Sequence, residues 1–192
     1  MPEYRRAYVP GGTYFLTLVT FERRALFADV ENISRLRGAL ATVKQEMPFD
    51  VVGAVVLPEH GHFMWTLPEN DEDFSKRVGR LKVLFTKDLP VTLRGEGHLS
   101  PSRLVKRESG VWHRRFWEHL IRDDRDFRHH MDYIHYNPVK HGLVSCPHLW
   151  PHSSFAHWVQ EGAYFADWGC GCNGRQRPAF DFSDIEGTTG EE

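Results

Sequence analysis

Cysteine is scarce in this sequence of 192 residues, and long apolar runs are absent. The three cysteines, Cys146, Cys170 and Cys172, are an odd number, and Cys-x-Cys is too tight to form half of a standard zinc ribbon. We therefore expect reduced thiols. The alternative, a zinc-binding module built on Cys170 and Cys172, lacks a second ligand pair at the usual spacing. No stretch approaches about 18 consecutive apolar residues, and the first residues lack the apolar core of a signal peptide. These absences predict a cytoplasmic protein with no membrane partner.

A strong net charge is also absent, since 24 Lys and Arg residues stand against 26 Asp and Glu residues. Five of the acidic residues lie between positions 181 and 192, where no basic residue occurs. The rest of the chain carries a small basic excess, far below the bias that by itself would imply nucleic-acid binding. Any such binding would have to come from local clusters of basic side chains.

The length predicts a single domain with short appendages. We expect the domain to cover residues 1–165, with an exposed insertion of weak local structure at about 89–110, where Gly and Pro are frequent. Residues 166–192 are rich in glycine and then acidic, which is typical of a flexible C-terminal tail.

Hydrophobic periodicity predicts seven secondary-structure elements. The predicted strands cover residues 13–19, 51–57, 63–67 and 111–122, and the predicted helices cover residues 30–45, 71–87 and 123–144. In chain order they run strand, helix, strand, strand, helix, strand, helix. A four-stranded, largely antiparallel sheet packed with helices accommodates this order with short connections. The sequence therefore predicts an α+β protein of the ferredoxin-like type.

The first candidate site is the pair His60 and His62, which flank Gly61. Strand side chains alternate between faces, so a His-x-His pair points both imidazoles to one side, where two ligands can hold one metal ion. The alternative is a pair of hydrogen-bonded histidines without a metal, which is the more common role of paired histidines in strands. A third ligand is needed to favour a metal site.

The second candidate site lies in residues 129–144, HHMDYIHYNPVKHGLV. On a helix, His130, Tyr133 and Asn137 share one face. The amide oxygen of Asn137 would complete a site with open positions that suits Mg²⁺ or Mn²⁺, and the phenol of Tyr133 could attack a phosphorus atom held there. The alternative for Tyr133 is a buried aromatic residue of the core. Because residues before a proline avoid the helical conformation, Pro138 could kink or end the helix at Asn137.

Three segments of the chain resemble one known family in order and in residue type. They are residues 57–68 (LPEHGHFMWTLP), 116–119 (FWEH) and 133–142 (YIHYNPVKHG). Together they closely resemble the REP-associated tyrosine transposases, a family of single-tyrosine HUH enzymes. The resemblance extends from Tyr4 to Phe155 and so covers most of the chain.

The resemblance implies a metal-dependent endonuclease and strand transferase that acts on single-stranded DNA beside the hairpins of repetitive extragenic palindromes (REPs). Tyr133 matches the nucleophile, which leaves a 5′-phosphotyrosine and a free 3′-hydroxyl. His60 and His62 match the metal-binding pair, Asn137 matches a third, amide ligand, and the implied cofactor is Mg²⁺ or Mn²⁺. Gly61 departs from the family pattern, in which the middle residue is typically bulky and apolar. A domesticated protein that binds REP hairpins without cutting them is the alternative function.

The same resemblance calls for residues that hold DNA. Phosphates require Arg and Lys, and unpaired bases require aromatic platforms. The candidates for phosphate contacts are Arg5, Arg6, Arg80, Lys82, Arg114, Arg115, Arg122 and Lys140, and the candidates for base stacking are Tyr4, Tyr8 and Trp117. The expected partner is single-stranded and hairpin DNA in the nucleoid, bound by a monomer, with a dimer as the alternative. The acidic residues 181–192 could mimic DNA and occupy the basic site.

Overall fold

A four-stranded antiparallel sheet with helices on both faces forms the body of the protein in the computed structural model, which describes residues 6–95, 110–172 and 179–189. The strands are β1 (Thr13–Val19), β2 (Asp50–Val56), β3 (His60–Thr66) and β4 (Trp117–Leu120). The helices are α1 (Val30–Glu46), α2 (Phe74–Asp88), α3 (Asp124–Lys140), α4 (Phe155–Gln160) and α5 (Ser183–Thr189). The sheet order β2-β3-β1-β4 is the ferredoxin-like order, so the predicted α+β class is confirmed. Within the described ranges, no helix has both the length and the apolar character needed to cross a membrane.

The sheet separates two hydrophobic cores. Because strand side chains alternate between faces, Leu16 and Trp65 point towards α1 and α2, whereas Phe15 and Met64 point towards α3. The ring of His62 stacks against Phe15, so the predicted histidine site lies on the α3 side of the sheet.

The close approach of α3 to the sheet depends on Gly53 of β2. A methyl group at this position would lie 2.5 Å from the Met131 sulfur and 3.3 Å from the Ile134 Cδ1 atom. The register between β2 and β3 also shifts between Val51 and Gly53, which marks a bulge at this point. The absence of a side chain at Gly53 therefore sets the depth at which α3 docks.

Capping interactions define both ends of α3. The carboxylate of Asp123 accepts hydrogen bonds from two backbone amides of the first turn, each at 2.9 Å. The helix continues through Pro138 and does not end at Asn137. It closes in a Schellman motif, in which Gly142 has a φ of 69° and the Leu143 N–H donates to the Pro138 carbonyl at 2.9 Å. The amide side chain of Asn137 is therefore carried on regular helix.

The fourth strand is shorter than the sequence predicts. β4 has 4 residues, and before it only an isolated bridge joins Trp112 to Thr20. Val111 and Trp112 are buried in the core beside α2, so their apolar character reflects packing and not a strand. Of the predicted insertion, residues 96–109 lie outside the described part of the chain.

The C-terminal segment, for which the composition predicts a flexible tail, packs apolar side chains against the rest of the fold. Phe182 and Ile185 are buried in the core on the α3 side, and Phe180 and Trp168 pack beside them. Apolar side chains spaced between acidic ones give the segment one face that docks on α3. Residues 173–178 and 190–192 lie outside the described part.

Candidate active site

Two histidines of β3 form one half of the candidate site. His60 and His62 are fully buried, and their ring centroids lie 4.9 Å apart. The Nδ1 atom of His62 lies 2.9 Å from the Thr17 hydroxyl oxygen, and the Nδ1 atom of His60 lies 3.2 Å from the Glu59 carboxylate. The hydrogen bond with His60 holds the pKa of Glu59 below its usual value, so this carboxylate is charged at neutral pH. Both imidazole rings are thus oriented through their Nδ1 atoms.

Gly61 leaves room for an aromatic ring behind the histidine pair. A methyl group on Gly61 would lie 3.0 Å and 3.2 Å from two atoms of the Phe63 ring. Phe63 therefore fills the volume that a bulky side chain at position 61 would occupy. The departure from the family pattern is compensated by this packing.

Helix α3 supplies the other half of the site. The ring of Tyr133 lies 5.1 Å from the ring of His62, and the ring of His141, just after the helix, lies 5.4 Å from the ring of His60. Asn137 is one helical turn from both Tyr133 and His141 and is buried on the same face of the helix. The structure therefore brings Tyr133 against His62, and Asn137 lies on the helix face that meets the histidine pair.

The donor atoms of this site fit a divalent metal. Asn137 is fully buried, and within the described residues neither its Oδ1 nor its Nδ2 atom has a hydrogen-bond partner. Leaving a buried polar group unsatisfied costs about 1–3 kcal/mol, and a metal bound to Oδ1 would offset that cost. Because Nδ1 of both His60 and His62 is engaged, each ring would bind a metal through Nε2. Two imidazole nitrogens and one amide oxygen suit Mn²⁺ or Mg²⁺.

The C-terminal segment covers the phenol of Tyr133. The ring of Phe182 packs 5.2 Å from the Tyr133 ring, and Tyr133 is 0% exposed. The Lys140 ammonium lies 3.4 Å from the Tyr133 hydroxyl oxygen and 2.9 Å from the carboxylate of Glu186 in α5. In this conformation, the phenol of Tyr133 has no access to solvent.

His130 belongs to a different cluster. Its Nδ1 atom lies 3.0 Å from the Asp126 carboxylate, and its ring stacks on the His119 ring at 4.5 Å. The ligand atoms of these three residues lie within 4.8 Å of one another. Burial lowers the pKa of His130 to about 4, so the imidazole is neutral at pH 7. His130 therefore packs α3 against β4, away from the pair His60 and His62.

Three of the basic candidates for DNA contact are held by protein groups. Arg6 lies 3.1 Å from the buried carboxylate of Glu118. Arg80 forms two hydrogen bonds with Glu46, at 2.6 Å and 2.7 Å. Lys82 donates to a backbone carbonyl at 2.9 Å, and burial lowers its pKa to about 8. These three basic side chains already interact with protein groups, so they are only partly available for contacts with DNA phosphates.

Other candidates for DNA contact lie beside β4, which is an edge strand of the sheet. Arg114 and Arg115 precede this strand and are exposed, and Arg122 follows it. Trp117 lies within it, with its ring stacked on that of His119 at 5.9 Å. These side chains line one edge of the sheet.

The remaining candidates for DNA contact lie at separate places in the chain. Tyr8 is 45% exposed and stacks on Phe74 at 5.3 Å. Lys140 lies against the phenol of the candidate site and not on the outer surface of α3. Tyr4 and Arg5 lie outside the described residues.

Several residues of the site were not predicted from the sequence. Thr17 faces His62 because β1 and β3 pair in that register, a long-range relation with no local signal. His141 could have been found from helical spacing, since it continues the face of Tyr133 and Asn137. Phe182 had only its apolar character within an acidic segment as a signal.

Comparison with known proteins reveals strong similarity to one group. No known protein-family profile matches the chain. A REP-associated tyrosine transposase of Haemophilus influenzae is 44% identical over 169 residues, which cover 88% of this chain and 94% of the relative. One of Escherichia coli is 42% identical over 168 residues, covering 88% and 91%. A solved structure of a REP-associated tyrosine transposase bound to a REP hairpin is 38% identical, with a TM-score of 0.72, and the match covers 95% of this chain and 99% of that one.

Proposed function

The chain belongs to the REP-associated tyrosine transposases, and from this membership we propose that it cuts and transfers single-stranded DNA at REP hairpins. The solved relative was bound to a REP hairpin, so we assign the same class of DNA to this protein. The reaction would depend on a divalent metal and would pass through a covalent link between Tyr133 and DNA.

One observation carries this proposal. The ring of Tyr133 lies 5.1 Å from His62, next to a buried pair of histidines and a buried amide whose donor atoms fit a metal. If Tyr133 were only an aromatic residue of the core, it would not need two histidines and an amide beside it. Burying such polar side chains in an apolar core is energetically costly. Their convergence supports a role for Tyr133 as nucleophile.

His60, His62 and Asn137 would hold the metal, which when bound polarises a phosphoryl oxygen of the substrate. Thr17 and Glu59 keep the two imidazoles oriented through Nδ1. The Lys140 ammonium, which contacts the Tyr133 hydroxyl, would stabilise the negative charge of the phosphate under attack.

In the proposed reaction, the Tyr133 oxygen attacks the phosphorus atom of a DNA phosphodiester. The phenol loses its proton as the new oxygen–phosphorus bond forms. The bond from phosphorus to the 3′ oxygen breaks, and that oxygen gains a proton. The products are a 5′-phosphotyrosine and a free 3′-hydroxyl. The covalent link keeps the energy of the phosphodiester, so transfer to another 3′-hydroxyl requires no ATP.

The edge of the sheet at β4 is the surface that we propose for the DNA. Arg114, Arg115 and Arg122 would contact phosphates there, and Trp117 would offer a stacking platform for an unpaired base. Because phosphate contacts release counterions, the affinity should fall steeply as the salt concentration rises.

One observation favours the alternative function, a protein that binds REP hairpins without cutting them. Tyr133 is fully buried under Phe182, so the conformation described here cannot react. If the C-terminal segment never moves away from Tyr133, the protein binds DNA but does not cut it.

The test is to incubate the protein with a labelled REP hairpin that has single-stranded flanks, in the presence of Mg²⁺ or Mn²⁺. The wild type and Phe182→Ala, in which the cover is weakened, should form a covalent adduct that resists denaturant. Tyr133→Phe should form none. Tyr136→Phe is the matched control, because it removes a phenol from the same helix and should leave the adduct intact.

An adduct that persists in Tyr133→Phe would overturn the assignment of the nucleophile. Specific retardation of the hairpin without any adduct, in both the wild type and Phe182→Ala, would instead establish the binding protein.

A further inference from the structure

The loop after α3 and the chain after Trp168 meet through sulfur atoms. Cys146 Sγ lies 3.1 Å from Cys172 Sγ, and Cys170 Sγ lies 3.6 Å from the Nδ1 atom of His148. Ligand atoms of Cys146, His148 and Cys170 lie within 4.8 Å of one another. We call these four residues the Cys/His cluster. It is separate from the candidate active site and has no part in the proposed reaction.

The two halves of the cluster have matching spacing. Cys146 and His148 are separated by one residue, and so are Cys170 and Cys172. The backbones of the two halves are joined by a hydrogen bond from the Gly171 N–H to the carbonyl of residue 145, at 3.0 Å. The sequence has no second ligand pair at the usual spacing from Cys170 and Cys172, but the fold brings Cys146 and His148 beside them.

Two distances within the cluster lie close to those of a tetrahedral metal site, and Cys172, which is outside the group of three whose ligand atoms lie within 4.8 Å of one another, would shift towards the other ligand atoms to become the fourth ligand. An ion with sulfur ligands at about 2.3 Å and a nitrogen ligand at about 2.0 Å separates two sulfurs by about 3.8 Å, and a sulfur from the nitrogen by about 3.5 Å. The distance between Cys170 Sγ and His148 Nδ1 agrees with the second value, and the two sulfurs of Cys146 and Cys172 need to move apart by less than an ångström. His148 Nδ1 also lies 3.1 Å from a backbone carbonyl, a contact that metal binding through this atom would replace.

Burial and chemistry indicate which ion and which role fit. Cys146 and Cys170 are buried, and three thiolates brought together repel one another unless a cation neutralises them. Three thiolates and one imidazole are a standard ligand set for structural zinc, and four protein ligands leave no open position for a substrate. We propose that the cluster binds one structural zinc ion through Cys146, His148, Cys170 and Cys172.

Such an ion would anchor the C-terminal segment. The Cys146 half follows directly on the Schellman end of α3, and the Cys170 half follows Trp168, whose ring packs 5.1 Å from Phe180. Zinc would close the loop between these halves and fix the start of the segment that covers Tyr133. The ion therefore stabilises the fold at the end of α3 without contacting DNA.

The test is the metal content of the reduced full-length protein after incubation with Zn²⁺ and removal of unbound metal. We expect about one zinc per chain, as in Cys3His sites, and a loss to near zero in Cys170→Ser. His148→Ala should weaken the affinity for zinc by at least about tenfold, because even the loss of a residue that only hydrogen-bonds to a metal ligand weakens affinity by about that factor. His157→Ala, an exposed histidine of α4, is the matched control and should keep the zinc.

Two further measurements keep the proposal separate from the active site and from misfolding. The double variant His60→Ala/His62→Ala should keep its zinc, since the candidate active site lies elsewhere. In the wild type, Co²⁺ should produce thiolate-to-metal charge-transfer absorption together with intense tetrahedral bands, a signature that needs no variant to fold.

Three results would overturn the proposal. They are the absence of zinc and of the cobalt signature in the reduced wild type, zinc retained in full by Cys170→Ser, and zinc lost with His60 and His62. Thiol titration before reduction that finds two fewer thiols than the sequence contains, followed by the first of these results after reduction, would assign the contact between Cys146 and Cys172 to a disulfide instead.

Discussion

The ammonium group of Lys140 lies 3.4 Å from the hydroxyl oxygen of Tyr133, and both residues are on α3. In the proposed reaction, a positive charge at this distance would stabilise the negative charge of the phosphate under attack. We predict that Lys140→Met slows formation of the covalent adduct by about 100-fold, the lower end of the loss expected for one charge-stabilising donor.

This measurement should be made with Lys140→Met added to Phe182→Ala. Lys140 also forms an ion pair with Glu186, so its loss in the wild type would at the same time loosen the C-terminal segment over Tyr133. Lys140→Arg should keep more activity than Lys140→Met. Lys44→Met, an exposed change on α1, should have no effect. Equal rates for Lys140→Met and the background protein would exclude a role for the ammonium.

The ring of Phe182 is buried against Tyr133, and its removal should release the phenol. Burial of such a side chain contributes about 1.5–3 kcal/mol, so Phe182→Ala should raise the open fraction, and the initial rate of adduct formation, by about 10- to 100-fold. Phe165→Ala is the control, since Phe165 is 83% exposed. A rate that is unchanged or lower would show that the segment does not limit access.

Charge on the same segment offers an independent test. Glu186→Gln removes the ion pair with Lys140 and should raise the rate by a smaller factor, about 2- to 5-fold, at low salt. The gain should shrink as added salt screens the pair in the wild type. A gain that is equal at low and high salt would argue against an electrostatic contribution.

Gly61 and Phe63 share one volume behind the histidine pair. We predict that Gly61→Leu lowers the free energy of unfolding by about 1–3 kcal/mol through overpacking. Phe63→Ala in the same protein should recover part of this loss, because the leucine takes over the space of the ring. Urea unfolding of the four members of this double-mutant cycle measures the coupling. Additive losses would show that the two residues do not compete for space.

Lys82 is buried enough that its pKa falls to about 8 in the folded protein, from an ordinary value of 10.5. Between these two values the unfolded chain binds more protons than the folded one, so Lys82 makes stability rise with pH in this range. Lys82→Met should remove that rise and add about 1–2 kcal/mol to the free energy of unfolding at pH 7, after allowance for partial exposure. Urea unfolding at pH 7 and pH 10 is the measurement. Lys87→Met, at the exposed end of α2, is the control.

The sequence predicted the parts of the fold that depend on local patterns. A run of β-branched and aromatic residues located β1 at its observed bounds, and helical spacing located α1 within one residue at its end. The residues after Gly110 were predicted as strand from the alternation of residues 116–122, but Val111 and Trp112 are buried by tertiary contacts, such as that of Trp112 with Phe85 of α2, which no local pattern encodes.

Local patterns identified the two halves of the candidate site, and their union in one site was a hypothesis that no local pattern supports. His-x-His alternation identified His60 and His62, and helical spacing identified Tyr133 and Asn137, but nothing in either segment specifies that they meet. The hydrogen bond between Thr17 and His62 depends on strand register, and the cover by Phe182 depends on the docking of a distant segment. The ion pair between Arg6 and Glu118 also joins two segments that are far apart in the sequence, so no local pattern predicted it.

The separation of the two cores by the sheet has a practical consequence for engineering. None of the proposed catalytic or metal-binding side chains contributes to the core beneath α1 and α2. Gly38 and Gly79 lie on those helices with no atom within 4 Å of an added methyl group, so alanine at each should add about 0.5–1 kcal/mol. Both positions lie across the sheet from α3, and their gains should sum. A more heat-resistant form of the enzyme can thus be obtained with its catalytic face unaltered.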